Sequence, residues 1–163
     1  ISTAIKKGKA SSEIVNRATE VMTTLNNTAA DFAHQYNANA VTDVTGFGLF
    51  GHLSEMLKNS NLGVKINSKN IPIIEGAQEL ILEGFFSSGS QRNLDYVKEL
   101  LIDNTGEENL IKLCCDAQTS GGLLISIPEI QKIKKEEIKE NFGLELWEIG
   151  EINTEYIEKI NII

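Results

Sequence analysis

The chain has 163 residues, 41% of them hydrophobic and 23% charged, the size and composition of one globular domain able to bury a core. Its net charge of −8 arises entirely in residues 61–163, where eighteen acidic groups outnumber ten basic ones, while residues 1–60 balance at five and five. There is no one-sided cluster of Lys and Arg for nucleic acid and no apolar run near the ~20 residues of a membrane helix, so neither partner is expected.

Ile1 to Lys9 is basic without an apolar stretch, unlike a secretory signal, and a start without Met suggests a piece of a longer protein. An amphipathic helix is predicted from about Ser12 to Leu25, with Ile14, Ala18, Val21, Met22 and Leu25 on one face. Asn26 or Asn27 can cap a second helix carrying Ala29, Ala30, Phe32, Ala33 and Tyr36. A strand, Ala40–Val44, then leads into a helix whose core face is Leu49, Phe50, Leu53, Met56 and Leu57. Val64–Asn67 reads as a second strand after Gly63, and Pro72 is placed to open a helix with Ile73, Ile74, Ala77, Leu80 and Ile81 aligned.

From Gly84 to Asn93 the residues are mostly small and polar, and a loop well equipped for hydrogen bonding is expected. A helix from Leu94 to Ile102 resumes the apolar pattern. Cys114–Gly122 reads as a glycine-containing turn before the apolar strand Leu123–Ile127. Pro128 begins a charged helix with Glu136, Glu137 and Glu140 on a solvated face. Strands Leu144–Ile149 and Tyr156–Ile162 finish the chain, with Trp147 expected in the core or at an interface. Helices and strands are mixed without strict alternation, which favours an α+β layer over a doubly wound sheet.

Two segments carry chemistry. In Val41-Thr-Asp-Val-Thr-Gly-Phe-Gly-Leu-Phe-Gly-His52 a strand ends in a carboxylate, followed by a glycine turn and a helix. Gly46-x-Gly48-x-x-Gly51 formally satisfies a dinucleotide fingerprint. Two helices precede this strand, however, and the second strand ends in Asn67-Ser68-Lys69 rather than the acidic residue that would hold a ribose. Asp43 would also repel an incoming diphosphate unless a cation lay between. A magnesium ion, which takes one or two carboxylates plus phosphate oxygens and water, makes better use of Asp43, and Thr42 and Thr45 can orient it. The alternative is that Asp43 accepts N–H bonds and caps the following helix. His52 is read as a packed, hydrogen-bonded histidine.

The second segment, Cys115-Asp-Ala-Gln-Thr-Ser-Gly-Gly-Leu-Leu124, gathers a carboxylate, an amide, two hydroxyls and two glycines ahead of a buried strand. The adjacent Cys114 and Cys115 are poorly placed to bridge each other and lack the partners of a zinc site. They read as small buried residues of a reduced, cytoplasmic protein.

Together the two segments resemble the carboxyl-terminal half of the selenophosphate synthetase (selenide, water dikinase) family. There the motifs Thr-Asp-Val-Thr-Gly-Phe-Gly-Leu-x-Gly-His and Asp-Pro-Gln-Thr-Ser-Gly-Gly-Leu-Leu stand in this order at similar separation. Gly89-Ser-Gln-Arg-Asn93, followed by Leu94-Asp95-Tyr96, is similar to the family's Gly-x-x-Arg-Asn segment. The likeness covers essentially the whole chain, residues 1–163, as a single domain. It implies an α+β fold of the aminoimidazole ribonucleotide synthetase C-terminal-domain type, with a mixed sheet packed with helices. It implies a partner in the protein's own amino-terminal β-rich domain, which builds a dimer barrel and most of the ATP site, and hence a homodimer when complete.

The family reaction converts ATP, selenide and water to selenophosphate, orthophosphate and AMP with Mg2+. Residue by residue, Asp43 matches the family's magnesium-binding aspartate in this half. No other position maps onto an established catalytic residue, so the chain alone is expected to be inactive. The reactive Cys or Sec, its partner lysine and the remaining metal-binding aspartates belong to the other half. Thr119, Ser120, Gly121 and Gly122 are expected to line the same cleft or to support the turn. Ala117 departs from the family's Pro after Asp116, which loosens the turn and leaves its polar atoms. A noncatalytic assembly domain of this fold, or a sister enzyme acting on thiamine phosphate or purine intermediates, are the rival implications.

Overall fold

The computed structural model of the protein describes residues 1–128 and 134–163. A short helix α1 (Ser2–Lys6) precedes α2 (Ser12–Thr23), whose first turn is closed by the Ser11 hydroxyl accepting from Ile14 N–H at 3.3 Å. Then come α3 (Asn27–Gln35), strand β1 (Ala40–Asp43), α4 (Gly48–Leu57) and β2 (Gly63–Ile66). They are followed by α5 (Ala77–Leu82), α6 (Ser88–Val97), β3 (Leu101–Asp103), α7 (Glu108–Cys114) and β4 (Leu123–Ser126). Helix α8 (Lys135–Phe142) and strands β5 (Gly150–Asn153) and β6 (Ile160–Ile162) close the chain. No helix among the described residues is long and apolar enough to cross a membrane.

The strands form two sheets. A four-stranded mixed sheet has the order β3-β6-β2-β5, with β3, β6 and β2 parallel and β5 antiparallel at the edge. β1 and β4 make a separate antiparallel pair in which Ala40 faces Ser126 and Asp43 faces Leu123. The main core lies where α4, α6 and α7 cover the larger sheet. Phe50, Leu53 and Leu57 of α4 meet Val97 of α6, Leu110 and Cys114 of α7, and Val64, Ile66, Ile160 and Ile162 of the sheet. A satellite cluster joins α3 to α8, with the Phe142 ring edge-on to Phe32 at 5.6 Å. The fold is therefore the expected α+β arrangement of a mixed sheet packed with helices.

Several elements differ from expectation for identifiable reasons. The helix placed at Pro72 begins only at Ala77, because Gly76 sits at φ +82°, a left-handed conformation that no helix interior can contain. The loop placed at Gly84–Asn93 is largely helix. Ser87, in extended conformation, accepts from Ser90 N–H at 3.0 Å and starts α6 directly after the Phe85-Phe86 pair. The helix expected through Ile102 stops at Val97, and Leu101–Asp103 is instead strand β3, added beside β6.

Helix α7 was not expected at all, its apolar signal being only Leu110, Ile111, Leu113 and Cys114 within seven residues. Leu144–Ile149 forms no strand. Pairing begins one residue later at Gly150, and Trp147 is 51% exposed rather than in the core. The final strand is shortened to Ile160–Ile162. The predicted helix start at Pro128 runs into residues 129–133, which lie outside the described ones; α8 begins at Lys135.

Phe50 is fully buried at the centre of the main core. Phe50→Ala is expected to cost about 3–5 kcal/mol, read as a lowered denaturant midpoint at unchanged slope.

Candidate functional site

The site is built where three separated segments meet: the end of β1 with the turn into α4, the first turns of α6, and the turn 115–122. The β1/β4 ladder continues past its last pair. Val44 N–H donates to Gly122 O at 3.0 Å, and Gly121 N–H donates to Val44 O at 3.0 Å. Gln118 N–H donates to Thr45 O at 2.9 Å, and the Asn26 side-chain amide donates to Gly121 O at 2.9 Å. Asn26 thus ties the α2–α3 link to the turn and makes no side-chain cap for α3.

The glycines make this approach possible. Gly48 has φ +70°, and a Cβ there would lie 2.7 Å from the Cys115 carbonyl carbon and 2.8 Å from Cys114 O. Real Cβ atoms do not come so close to backbone, so the start of α4 packs on the Cys114–Asp116 backbone only because residue 48 has no side chain. Gly121 is equally confined, its hypothetical Cβ falling 2.5 Å from Val44 O. Gly46 is different, being exposed with open space around it. Of the fingerprint Gly46-x-Gly48-x-x-Gly51, Gly48 therefore serves backbone packing and Gly51 gives room to the Phe47 side chain, while Gly46 is not required by packing.

Helix α6 supplies the polar clamp. Ser90 and Asn93, three residues apart, share a helix face. The Asn93 amide donates to Gly46 O at 2.8 Å and to Cys115 O at 3.1 Å, one proton to each segment. The fully buried Ser90 hydroxyl donates to Asp116 Oδ1 at 2.5 Å and accepts from Ala117 N–H at 3.1 Å. Each such bond contributes on the order of 1 kcal/mol, and a buried partner left unmade costs more. Sequence reasoning flagged residues 84–93 as rich in hydrogen-bonding groups; it did not assign Ser90 or Asn93 to the site.

Asp43 is exposed at the C-terminal end of β1. Neither neighbouring threonine orients its carboxylate. The Thr42 hydroxyl donates to the Asp43 backbone carbonyl at 3.2 Å, and Thr45 Oγ1 pairs with His52 Nε2 at 3.1 Å. His52 also lies 5.4 Å from the Phe47 ring, the packed and bonded histidine that was expected. Among the described residues the Asp43 carboxylate accepts no hydrogen bond, so it caps no helix, and no group of three His, Cys, Asp or Glu side chains converges.

One free carboxylate fits magnesium as a partial ligand set, because that ion keeps waters and completes its shell with substrate phosphates. It does not make a self-contained cage. Of the four residues expected to line a cleft, Thr119 and Gly122 are exposed, Ser120 is half-buried and Gly121 is buried in the turn. Thr119 also borders a polar cavity of about 210 Å³ with Lys6, Ser87 and Asp116.

Cys114 and Cys115 are both free and buried. Burial, with the nearby negative charge of Asp116, pushes the Cys115 thiol up to about 12, and burial raises Cys114 further. They are protonated packing groups, as expected.

The sequence matches the family model for AIR synthase related protein, C-terminal domain, over residues 2–162. The chain belongs to this family. As a member of the AIR synthase related C-terminal domains, it has curated relatives with a common name. It is 38% identical over 154 residues to the selenide, water dikinase of Clostridioides difficile, covering 93% of this chain and 44% of that protein. It is 43% identical over 129 residues to the selenide, water dikinase of Caldanaerobacter subterraneus, covering 79% of this chain and 38% of that protein. The chain thus spans less than half the length of these relatives. A solved thiamine monophosphate kinase from Aquifex aeolicus aligns over 85% of this chain and 36% of its own, with TM-score 0.48 and 16% identity.

Two predictions follow from the geometry. Gly48→Ala is expected to destabilise by roughly 3 kcal/mol, from the left-handed backbone and the collision with Cys115, whereas Gly46→Ala stays within about 0.5 kcal/mol; paired denaturation curves check this. The raised thiols contribute stability that is constant with pH below their ordinary value near 9.0 and falls above it, because the unfolded chain ionises first. A thiol reagent at pH 8 should accordingly label neither cysteine until denaturant is added.

Proposed function

We propose that this chain is the carboxyl-terminal domain of a selenide, water dikinase, an enzyme that makes selenophosphate, orthophosphate and AMP from ATP, selenide and water. The observation that carries the reading is the likeness to selenide, water dikinases over 93% of this chain, an extent that takes in all three segments of the site. The geometry supports it, because those segments converge beside one exposed carboxylate. In this reading the complete protein is a cytoplasmic homodimer, and this domain faces its own amino-terminal domain across the ATP cleft.

Asp43 would hold magnesium together with phosphate oxygens of ATP and carboxylates of the other domain. The ion supplies charge neutralisation at the transferring phosphoryl groups. The chain's own contribution is placement. Asp43 leaves the end of a strand whose continuation, Val44 and Thr45, is bonded to the turn 115–122, so its Cα is fixed while its carboxylate stays free. The N-terminus of α4 carries no side-chain cap; its Gly48 N–H donates to Thr45 O, and the partial positive charge of the helix end lies beside the same turn. Thr119, Ser120 and the Gly121–Gly122 backbone would border the cleft on the other side. This domain positions charge and does not provide the nucleophile.

The test is phosphorus NMR of the full-length parent protein given ATP, magnesium and selenide. Selenide-dependent AMP with a selenophosphate signal supports the reading, and ADP as the nucleotide product overturns it. In the same protein Asp43→Asn is expected to lower magnesium-dependent turnover by about two orders of magnitude while leaving the thermal midpoint unchanged. Wild-type magnesium dependence in that variant would remove Asp43 from the site.

A further inference from the structure

The proposed metal role leaves unexplained how an exposed carboxylate that accepts no hydrogen bond among the described residues is kept where a metal–phosphate group can use it. Its position depends on its backbone alone. Downstream, Val44 and Thr45 are held by bonds to Gly121, Gly122 and Gln118. Gly48 is held by contact with the Cys114–Asp116 backbone. Between them lies Gly46, exposed, with nothing within 4 Å of where a side chain would be. The bond that reaches Gly46 O comes from Asn93, at 2.8 Å, and the same amide reaches Cys115 O at 3.1 Å.

Resting on the reading of Asp43 as a magnesium ligand, we propose that Asn93 is a positioning residue for that site. By donating one proton to each turn it ties Gly46, the stretch between the two points already held, to the turn 115–122, and so steadies the Asp43 turn and with it the affinity for the metal–nucleotide complex. Two carbonyl oxygens brought together repel each other and require a donor between them. Among the described residues Asn93 is the one side chain that donates to both turns. The residue type is demanding. An aspartate would set a third oxygen against the pair, and a leucine would leave both carbonyls unpaired. Asn93 rides on α6, whose next turn is anchored by the fully buried Val97, so the clamp stands on a rigid element. Groups that orient a metal ligand from behind shift metal affinity by about 10–100-fold when removed.

The experiment uses the full-length parent protein and two readouts besides turnover. Electron paramagnetic resonance with Mn2+ as the probe measures metal binding in the presence of ATP, and hydrogen–deuterium exchange follows peptides spanning residues 41–52 and 115–122. N93A is expected to weaken Mn2+ binding by about tenfold or more and to speed exchange in both peptides. V97A, which destabilises α6 without touching either carbonyl, should lower the thermal midpoint and leave Mn2+ binding at the wild-type value. If N93A does not fold by circular dichroism, N93S, which keeps one donor, is judged by the same criteria.

Faster exchange with unchanged Mn2+ binding would reduce Asn93 to a structural residue and overturn the proposal. Unchanged exchange, a change in one peptide only, or a V97A effect equal to that of N93A would also overturn it. Wild-type binding equal to that of D43N would overturn the metal role and this proposal together. A wild-type protein that binds Mn2+ through Asp43 yet forms no AMP with selenide overturns only the dikinase reading, and the Asn93 comparison still stands.

Discussion

No side chain fits between residue 48 and the backbone of Cys114–Asp116, and the arrangement of the site follows from that one close approach. It forces the start of α4 against the end of α7, so that the turn carrying Asp43 and the turn 115–122 lie side by side. Once there, their backbone groups face each other and pair. Val44, Thr45, Gln118, Gly121 and Gly122 satisfy one another as an extension of the β1/β4 ladder. Among the described residues the carbonyls of Gly46 and Cys115 accept from no backbone N–H outside the helices and are satisfied by Asn93 from a third element.

Helix α6 therefore has two jobs along one face. Toward its C-terminal end Val97 enters the apolar core with Phe50, Ile160 and Ile162. Toward its N-terminal end Ser90 and Asn93 supply hydrogen bonds to the two turns. The change from apolar to polar occurs within about two helical turns. It coincides with the boundary between the packed sheet layer and the edge where Asp43 is exposed. The buried thiols sit at this boundary, where burial raises both above their ordinary value. Function, on the proposed account, belongs to the outer side.

Much of this was legible in the chain. The strand–Asp–glycine–helix order of residues 40–57 appears almost as read, because a short strand ending in a turn and a strongly apolar helix leave little choice. The second motif was legible as a turn because its polar residues and two glycines precede an apolar strand. The parts that were not legible depend on tertiary contact. Gly84–Asn93 looks like a loop because Ser, Gly and Asn have weak helix propensity. It is helical because Ser87 caps it and because its polar groups bond to distant turns, information no local window contains. Strand β3 and helix α7 are short, and their identity is decided by β6 and the core rather than by periodicity. The threonines beside Asp43 were natural candidates to orient it. The structure pairs one with His52 and gives the other to backbone.

What the chain contributes is thus a rigid mount with one free carboxylate, and the proposed chemistry requires that the mount face a nucleotide held mainly by another domain. A crystal structure of the full-length parent protein with magnesium and a non-hydrolysable ATP analogue tests this most directly. The account predicts an Asp43 carboxylate oxygen at about 2.0–2.1 Å from a magnesium ion that also touches the phosphates, with the Gly46–Asn93–Cys115 bridge intact. An Asp43 directed into solvent, with every metal ligand drawn from the other domain, would contradict it.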